Sequence, residues 1–384
     1  MSQGSIRARG KGAWELKYDV GHDPVTGRRM TKYATVRGAK RDAQKELRRR
    51  LNAVDQGRHA DPGKMTVGDL LKRWLEEAQS SVSPKTIERY REIVQRHLIP
   101  ALGMIPLAKL QPVHIQAYYA TALTDGRLDR KGGLSPKTVL HHDRVLALAL
   151  KRARGLRLMA GNPMEGVKRP KEPEREIEVP EPWEMSELLK VAKPTRLYVP
   201  IFLALATGLR RGELLALHWK NVDLGRGSLT VTQALEQTRK GLRFKEPKTK
   251  RSRRTIALSP AVVEILQEHK VAQLEERMKL GLGKNESGLV FTNLDGTVVN
   301  PLSLTQQFAN LVKRAGITKV TFHGLRHAHF TNLLSEGVHP KVASERAGHA
   351  SVAITMDLYS HVIPGLQEEA ALRIDAALRK VLRG

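Results

Sequence analysis

The chain has 384 residues, 40% of them hydrophobic, which is too long for one ordinary compact domain and apolar enough to fill more than one core. Its 66 Lys and Arg against 39 Asp and Glu leave a formal net charge of +27, which favours a polyanion, nucleic acid first, over any acidic small molecule. No Cys is present, so disulfides and thiolate zinc sites are excluded, and no apolar run approaches the roughly 20 residues that span a bilayer. The N-terminus is polar and basic, without the apolar stretch of a signal peptide, so a bacterial cytoplasm or nucleoid is the expected location and no membrane is expected as partner.

Residues 1–60 read as a small domain of their own. Trp14, Leu16, Tyr18 and Val20 alternate, a turn signal follows at Asp23-Pro24 with Gly27, and a second run lies around Tyr33 and Val36. A short antiparallel sheet is expected, followed by a helix over "AKRDAQKELRRRLNAVDQG" that Gly57 stops. The arginine-rich face of that helix is too charged to be buried all round, so Arg48 and Arg49 are expected on DNA phosphates.

Residues 65–167 read as almost entirely helical. The tetrapeptide Ser-Pro-Lys-Thr occurs at Ser83 and again at Ser135, each time with Ser as N-cap and Pro at the first helical position. One copy opens a helix with Ile87, Tyr90, Ile93 and Val94, the other a helix with Val139, Leu140, Val145 and Leu146. Two further helices lie in "TVGDLLKRWLEEAQ" and "PVHIQAYYATAL", and a four- to five-helix module with basic ends suits a DNA duplex, with Lys85 and Lys137 as backbone contacts. Residues 168–182, "KRPKEPEREIEVPEP", combine four prolines with dense charge and read as a linker. Residues 183–384 alternate helices, near 185–191 and 198–217, with short strands near 228–235 and 255–258, then continue as helices to the end. The fold class is mostly α with small β-sheets, α+β and multidomain. The last helix carries Leu366, Ala370, Ile374, Ala377 and Val381 at helical spacing, an apolar stripe that packs either on its own domain or on a partner.

The chemistry gathers in this third segment. It holds "ATGLRRGELLAL" with Arg210 and Glu213, "KEPKTKRSRRTI" with Lys248 and Lys250, "HGLRHAHFT" with His323 and Arg326, "AGHAS" with His349, and "MDLYSHV" with Tyr359. Each alone has an ordinary explanation: a surface ion pair, a solvated basic loop, a helix cap, a half-buried aromatic. Together they suit phosphoryl transfer, because guanidinium groups match the paired oxygens of a phosphodiester that gains charge as a hydroxyl attacks it. A tyrosine hydroxyl, with a pKa of about 10, needs a cationic surround or a base to act at neutral pH. A lysine on a loop between strands can protonate the departing alkoxide. Arg253 and Arg254, in the same basic loop, are expected on DNA.

This ordered set, R-x-x-E, then Lys in a strand turn, then H-x-x-R, G-H and Y-x-H, resembles the tyrosine recombinase family, specifically the phage-type integrases. The resemblance covers the whole chain and implies an N-terminal arm-type DNA-binding domain, a helical core-binding domain and a catalytic domain. It implies that Arg210 and Arg326 bind the scissile phosphate, that Glu213 supports Arg210, and that Lys248 or Lys250 protonates the leaving 5′-oxygen. It further implies that His323 handles the tyrosine proton, that His349 donates to a non-bridging oxygen, and that Tyr359 is the nucleophile. Ala347 stands where the family often has Leu before Gly-His. The implied reaction is site-specific DNA recombination through a 3′-phosphotyrosyl intermediate, without ATP, metal or other cofactor. The implied partners are double-stranded attachment sites, a homotetramer, an accessory directionality factor and a host DNA-bending protein.

Three other readings compete. A His-rich metal site would use His323 and His327 at i and i+4, but Gly324 stands where a zincin-type helix carries Glu, and no carboxylate occurs between Asp295 and Glu336. A non-catalytic DNA-binding protein explains the charge but not the joint occurrence of Tyr, two Arg, Lys and two His. A type IB topoisomerase shares the chemistry but not the small N-terminal domain or the apolar C-terminal helix.

Overall fold

The computed structural model describes residues 4–22, 29–55, 65–173, 179–246, 253–283, 287–318, 320–359 and 366–383. They fall into two compact units, Met1–Glu174 and Arg175–Gly384, whose division lies inside the proline-rich stretch 168–182.

Unit 1 begins with three antiparallel strands in the order β1 (Gly4–Ala8), β2 (Ala13–His22) and β3 (Arg29–Arg37). The two-residue period of β2 sends Leu16 and Tyr18 to one face, where they are buried with Ala43 and Leu47 of α1 (Lys40–Asp55). That core is small, and Arg50 extends it by laying its guanidinium over the Tyr18 ring and donating to the Tyr18 hydroxyl at 2.9 Å. The expected turn at Asp23-Pro24-Gly27 and the stop at Gly57 lie outside the described residues.

The helical part of unit 1 comprises α2 (Val67–Ala78), α3 (Pro84–Ile93), α4 (Ile99–Leu102), α5 (Pro112–Asp125) and α6 (Pro136–Gly155) around one apolar core. Both Ser-Pro-Lys-Thr copies act as caps: Ser83 accepts from the Thr86 N–H and Ser135 from the Thr138 N–H, with nearly identical backbone angles. Between α3 and α4 the chain keeps winding through a π-turn, Val94–Leu98, in which the Ile99 N–H reaches back to the Val94 carbonyl. Pro100 supplies the reason, since its ring carries no N–H and crowds the carbonyl four residues before it. Buried polar groups in this core are paired: the Tyr118 hydroxyl with His142 Nδ1 at 2.6 Å, and the Tyr119 hydroxyl with Asp143, which also accepts from Arg169.

Unit 2 contains α7 (Pro182–Ala192), α8 (Tyr198–Thr207) and α9 (Arg211–Leu215), then β4 (Val222–Asp223), β5 (Ser228–Val231), β6 (Ala234–Thr238), β7 (Gly241–Lys245) and β8 (Arg254–Ala257). Among the described residues six helices complete it: α10 (Pro260–Lys279), α11 (Pro301–Arg314), α12 (Phe322–Ser335), α13 (Pro340–Ala347), α14 (Val352–Tyr359) and α15 (Leu366–Arg383). Two expectations from sequence are corrected here. The helix expected over 198–217 is two helices, because Gly208 takes the left-handed conformation (φ 64°) and caps α8. The strand expected over 228–235 is two strands, β5 pairing with β4 and β8 while β6 forms a separate hairpin with β7. Thr232 and Gln233 at the break turn their side chains to Asn221 and to Ala216 and His218.

α8 is apolar nearly all round and lies in the centre of the unit against α7, α10 and α12. Leu372, Ile374, Leu378, Val381 and Leu382 of α15 face solvent within the single chain.

Candidate active site

The left-handed turn at Gly208 ends α8 and leaves Arg210 as the N-cap of α9, in extended conformation. A Cβ at Gly208 would lie 2.7 Å from the His329 ring and 2.8 Å from Phe330, so the turn is pressed against α12 and only glycine fits. Glu213, one turn into α9, accepts from the Arg210 backbone N–H and from its Nη1, each at 2.9 Å. The Arg210 guanidinium is thereby held at the helix start while staying partly open to solvent.

Arg326 comes from the first turn of α12, whose N-cap Thr321 accepts from the Gly324 N–H. Its side chain is 3% exposed, and its guanidinium lies over the Phe330 ring. Nη1 donates to the Gly208 carbonyl at 2.5 Å, while Nη2 donates to the Ala347 carbonyl at 2.7 Å and lies 3.1 Å from His349 Nε2. One guanidinium therefore ties the turn before Arg210 to the turn that carries His349. That second turn is again a left-handed glycine, Gly348 (φ 61°), capping α13. His349 Nδ1 is 2.8 Å from the Thr355 hydroxyl on α14.

His323 sits one residue into α12 and its ring meets that of His327 edge to face, centroids 4.8 Å apart. It reaches solvent, yet partial desolvation by the surrounding atoms, then the charges of Arg326, Arg210 and Arg211, lower its pKa. His349 is lowered to about 4 by burial first, then by Arg326, Arg210 and Arg254. Both rings are therefore neutral at pH 7 and able to accept a proton. Among the described residues no group of three or more His, Cys, Asp or Glu is placed to hold a metal ion.

The residues singled out from sequence for DNA contact divide. Arg49 is exposed and pairs with Glu46 of its own helix, and Arg48 lies exposed beside it. Lys85 and Lys137 are exposed at their helix starts, near Glu88 and Glu172. Arg253 is exposed and lines a cleft beside His349 with Lys341. Arg254 is corrected: it is 8% exposed, and it faces inward because alternation along β8 buries Arg254 and Ile256 while exposing Thr255 and Ala257. Its Nη1 and Nη2 grip the two Glu213 oxygens at 3.1 and 2.9 Å, and Nε donates to the Arg346 carbonyl at 2.7 Å. Burial would raise the Glu213 carboxyl, but the hydrogen bonds and charge of Arg254, then Arg210, outweigh it and hold it at about 2. Arg346, which sequence reasoning passed over, donates to the carbonyls of Ala206 and Ala257 and to His329 Nε2, joining α13 to α8 and β8. His329 is a buried brace, since its Nδ1 bonds the Leu205 carbonyl at 2.7 Å. Lys248 and Lys250 lie outside the described residues; Tyr359 ends α14, but its side chain is not described.

Comparison with known proteins agrees with this architecture. The phage integrase family model matches residues 181–364, and the phage integrase N-terminal SAM-like domain matches residues 66–122. A tyrosine recombinase XerC-like protein of Caldanaerobacter subterraneus is 32% identical over 345 residues, covering 85% of this chain and 86% of its own. The ICEBs1 integrase of Bacillus subtilis is 24% identical over 97% of this chain and the whole of its own length. Among solved structures, the Tn1549 transposon integrase in complex with a circular intermediate DNA shares the fold with a TM-score of 0.67 at 20% identity, over 81% of this chain and 100% of its own. A lambda integrase dimer bound to a core site gives 0.57 at 19% identity, over 92% and 93%. The chain belongs to the phage integrase family, the tyrosine recombinases, enzymes that break and rejoin DNA at specific sites. Among the described residues no helix is long and apolar enough to cross a membrane.

Proposed function

We propose that this recombinase cuts DNA with Tyr359 as nucleophile at a phosphate held by Arg210, Arg326 and His349. The tyrosine oxygen attacks phosphorus, the bond to the 5′-oxygen breaks, and a 3′-phosphotyrosyl link and a free 5′-hydroxyl result. His323 takes the tyrosine proton, a role open to it because its lowered pKa leaves the ring neutral, with a lone pair to accept the proton. Lys248, or Lys250 two residues on, gives a proton to the departing 5′-oxygen. A 5′-hydroxyl from a partner duplex then reverses the attack, so the phosphodiester energy is kept and each step is a transesterification. Arg210 and Arg326 stabilise the charge that grows on the non-bridging oxygens.

The observation that carries this reading is the position of Arg326: one buried guanidinium is bonded both to the Arg210 turn and to His349, so the phosphate ligands form one preorganised unit. Arg48, Arg49, Lys85, Lys137 and Arg253 are assigned to the DNA backbone. The lambda integrase tetramer bound to a Holliday junction supports a tetramer on DNA for this chain as well. Integration of a mobile element, with an accessory directionality factor and a host DNA-bending protein, is the biological setting we infer. The test is a nicked duplex carrying the junction between the element and its host chromosome, which traps the covalent intermediate. Wild type is expected to give a protein–DNA adduct on denaturing gels and Tyr359→Phe none; an adduct that persists in Tyr359→Phe refutes the assignment.

A further inference from the structure

The hydrogen bonds of His349 dictate its tautomer. An arginine nitrogen only donates, so the 3.1 Å contact with Arg326 Nη2 makes His349 Nε2 an acceptor, and the ring proton then resides on Nδ1. Nδ1 faces the Thr355 hydroxyl at 2.8 Å. That arrangement is the opposite of what phosphate binding needs, since donation to a non-bridging oxygen requires the proton on Nε2. Thr355 is 0% exposed, so its hydroxyl meets Nδ1 away from solvent, and a hydroxyl is the one common side-chain group that accepts from N–H and donates to a lone pair with equal ease.

We propose that Thr355 is a positioning residue for strand cleavage, whose hydroxyl serves His349 Nδ1 in either tautomer and so lets Nε2 change from acceptor of Arg326 to donor toward the scissile phosphate. The exchange needs no net proton: one leaves Nδ1, one is taken up at Nε2, and the Thr355 O–H turns toward the exposed lone pair. The same bond registers α14 against the turn after α13, and Tyr359 follows Thr355 four residues later in that helix. The phosphate donor and the nucleophile's helix are therefore joined directly by this contact. This inference rests on His349 being a phosphate ligand.

Three variants of the full-length protein test it, Thr355→Val, Thr355→Ser and His349→Ala, each checked for wild-type far-UV circular dichroism. The first readout is the ring-nitrogen spectrum of 15N-histidine-labelled protein, with His349 recognised among the 14 histidines by its disappearance in His349→Ala. Wild type and Thr355→Ser are expected to show His349 as an Nδ1–H tautomer that moves to Nε2–H on the junction duplex, and Thr355→Val to keep on the duplex the Nδ1–H form that Arg326 imposes. The second readout is adduct formation on the nicked junction duplex. Thr355→Val is expected to slow it about ten- to hundredfold at unchanged DNA affinity, with Thr355→Ser recovering most of the rate. A wild-type ring spectrum or a wild-type cleavage rate in Thr355→Val overturns the inference. If His349→Ala cleaves at the wild-type rate, the reading of His349 as phosphate ligand falls and this inference falls with it. If His349→Ala is slow and Thr355→Val is not, the inference alone fails.

Discussion

Replacing Glu213 by Gln is the most informative single perturbation of the scaffold. The carboxylate is 7% exposed and bonded to both terminal nitrogens of Arg254 and to the side chain and backbone of Arg210. Holding it at about 2, against 4.5 for the free side chain, is worth about 3 kcal/mol at neutral pH. The sign follows from the direction: the folded value lies below the unfolded one, so on acidification the unfolded chain binds the proton first. The contribution is complete above about pH 4.5 and is lost as pH falls toward about 2. Glu213→Gln removes it and leaves Arg254 buried without a counter-charge, so a loss of about 3–5 kcal/mol is expected at pH 7. With a urea slope of about 2 kcal/mol per molar, the midpoint of unit 2 drops by about 1.5 to 2.5 M. Tryptophan fluorescence in a Trp14→Phe, Trp74→Phe background follows this transition, because Trp183 and Trp219 then report unit 2 alone. The gap between parent and variant should narrow as pH is lowered from about 4.5 toward 2. Glu213→Met combined with Arg254→Met should recover part of the loss at pH 7. An unchanged midpoint at pH 7, or parallel acid slopes in parent and variant, would refute the argument.

Three other outcomes are expected. Gly208→Ala forces a left-handed φ on a residue with a Cβ and drives that carbon into the His329 and Phe330 rings, so it should cost several kcal/mol by urea denaturation, with loss of adduct formation. Replacing Arg49, Lys85 or Lys137 by Ala should weaken binding to the junction duplex and reduce the slope of log affinity against log salt by about 1 per residue, as loss of one phosphate contact requires. Glutamine at Arg254, by contrast, should leave that slope unchanged and lower stability. A salt slope that falls in Arg254→Gln but not in the others would reverse the assignment of scaffold and surface.

The legible parts of the sequence were those whose physics is local. Ser83 and Ser135 cap their helices because Ser followed by Pro satisfies an orphan N–H and presets the first turn, whatever packs alongside. The motifs around Arg210, Arg326 and His349 were equally legible in chain order, and the structure brings them to one guanidinium. What stayed hidden depends on partners far along the chain. Nothing near Arg254 distinguishes it from Arg253; the strand register decides which of two adjacent arginines is buried, and Glu213, 41 residues away, decides that burial is tolerable. The break at Gly208 was missed because Leu203 to Leu217 keeps a helical spacing of apolar residues, and the turn is imposed by His329 and Phe330 of α12. Thr355 and Arg346 carry no local signal, since their worth lies in His349, His329 and two main-chain carbonyls.

The electrostatics of the assembled site follow from the same burial. His323, His327, His329 and His349 all have lowered pKa values, three of them at about 4, so at neutral pH the positive charge belongs to arginines and not to histidines. Arg210 and Arg254 share one buried carboxylate, Glu213, while Arg326 and Arg346 donate to backbone carbonyls and histidine nitrogens, which leaves an excess of fixed positive charge that no pH change near 7 can remove. In the proposed reaction a phosphodiester supplies the missing negative charge, and the charge that develops in the transition state supplies more. The histidines, kept neutral by burial first and by that excess second, are then free to work as directional donors and acceptors. Their usefulness depends on which nitrogen carries the proton: at His349 Arg326 sets it and the Thr355 hydroxyl serves either form, and at His329 the Leu205 carbonyl holds it on Nδ1.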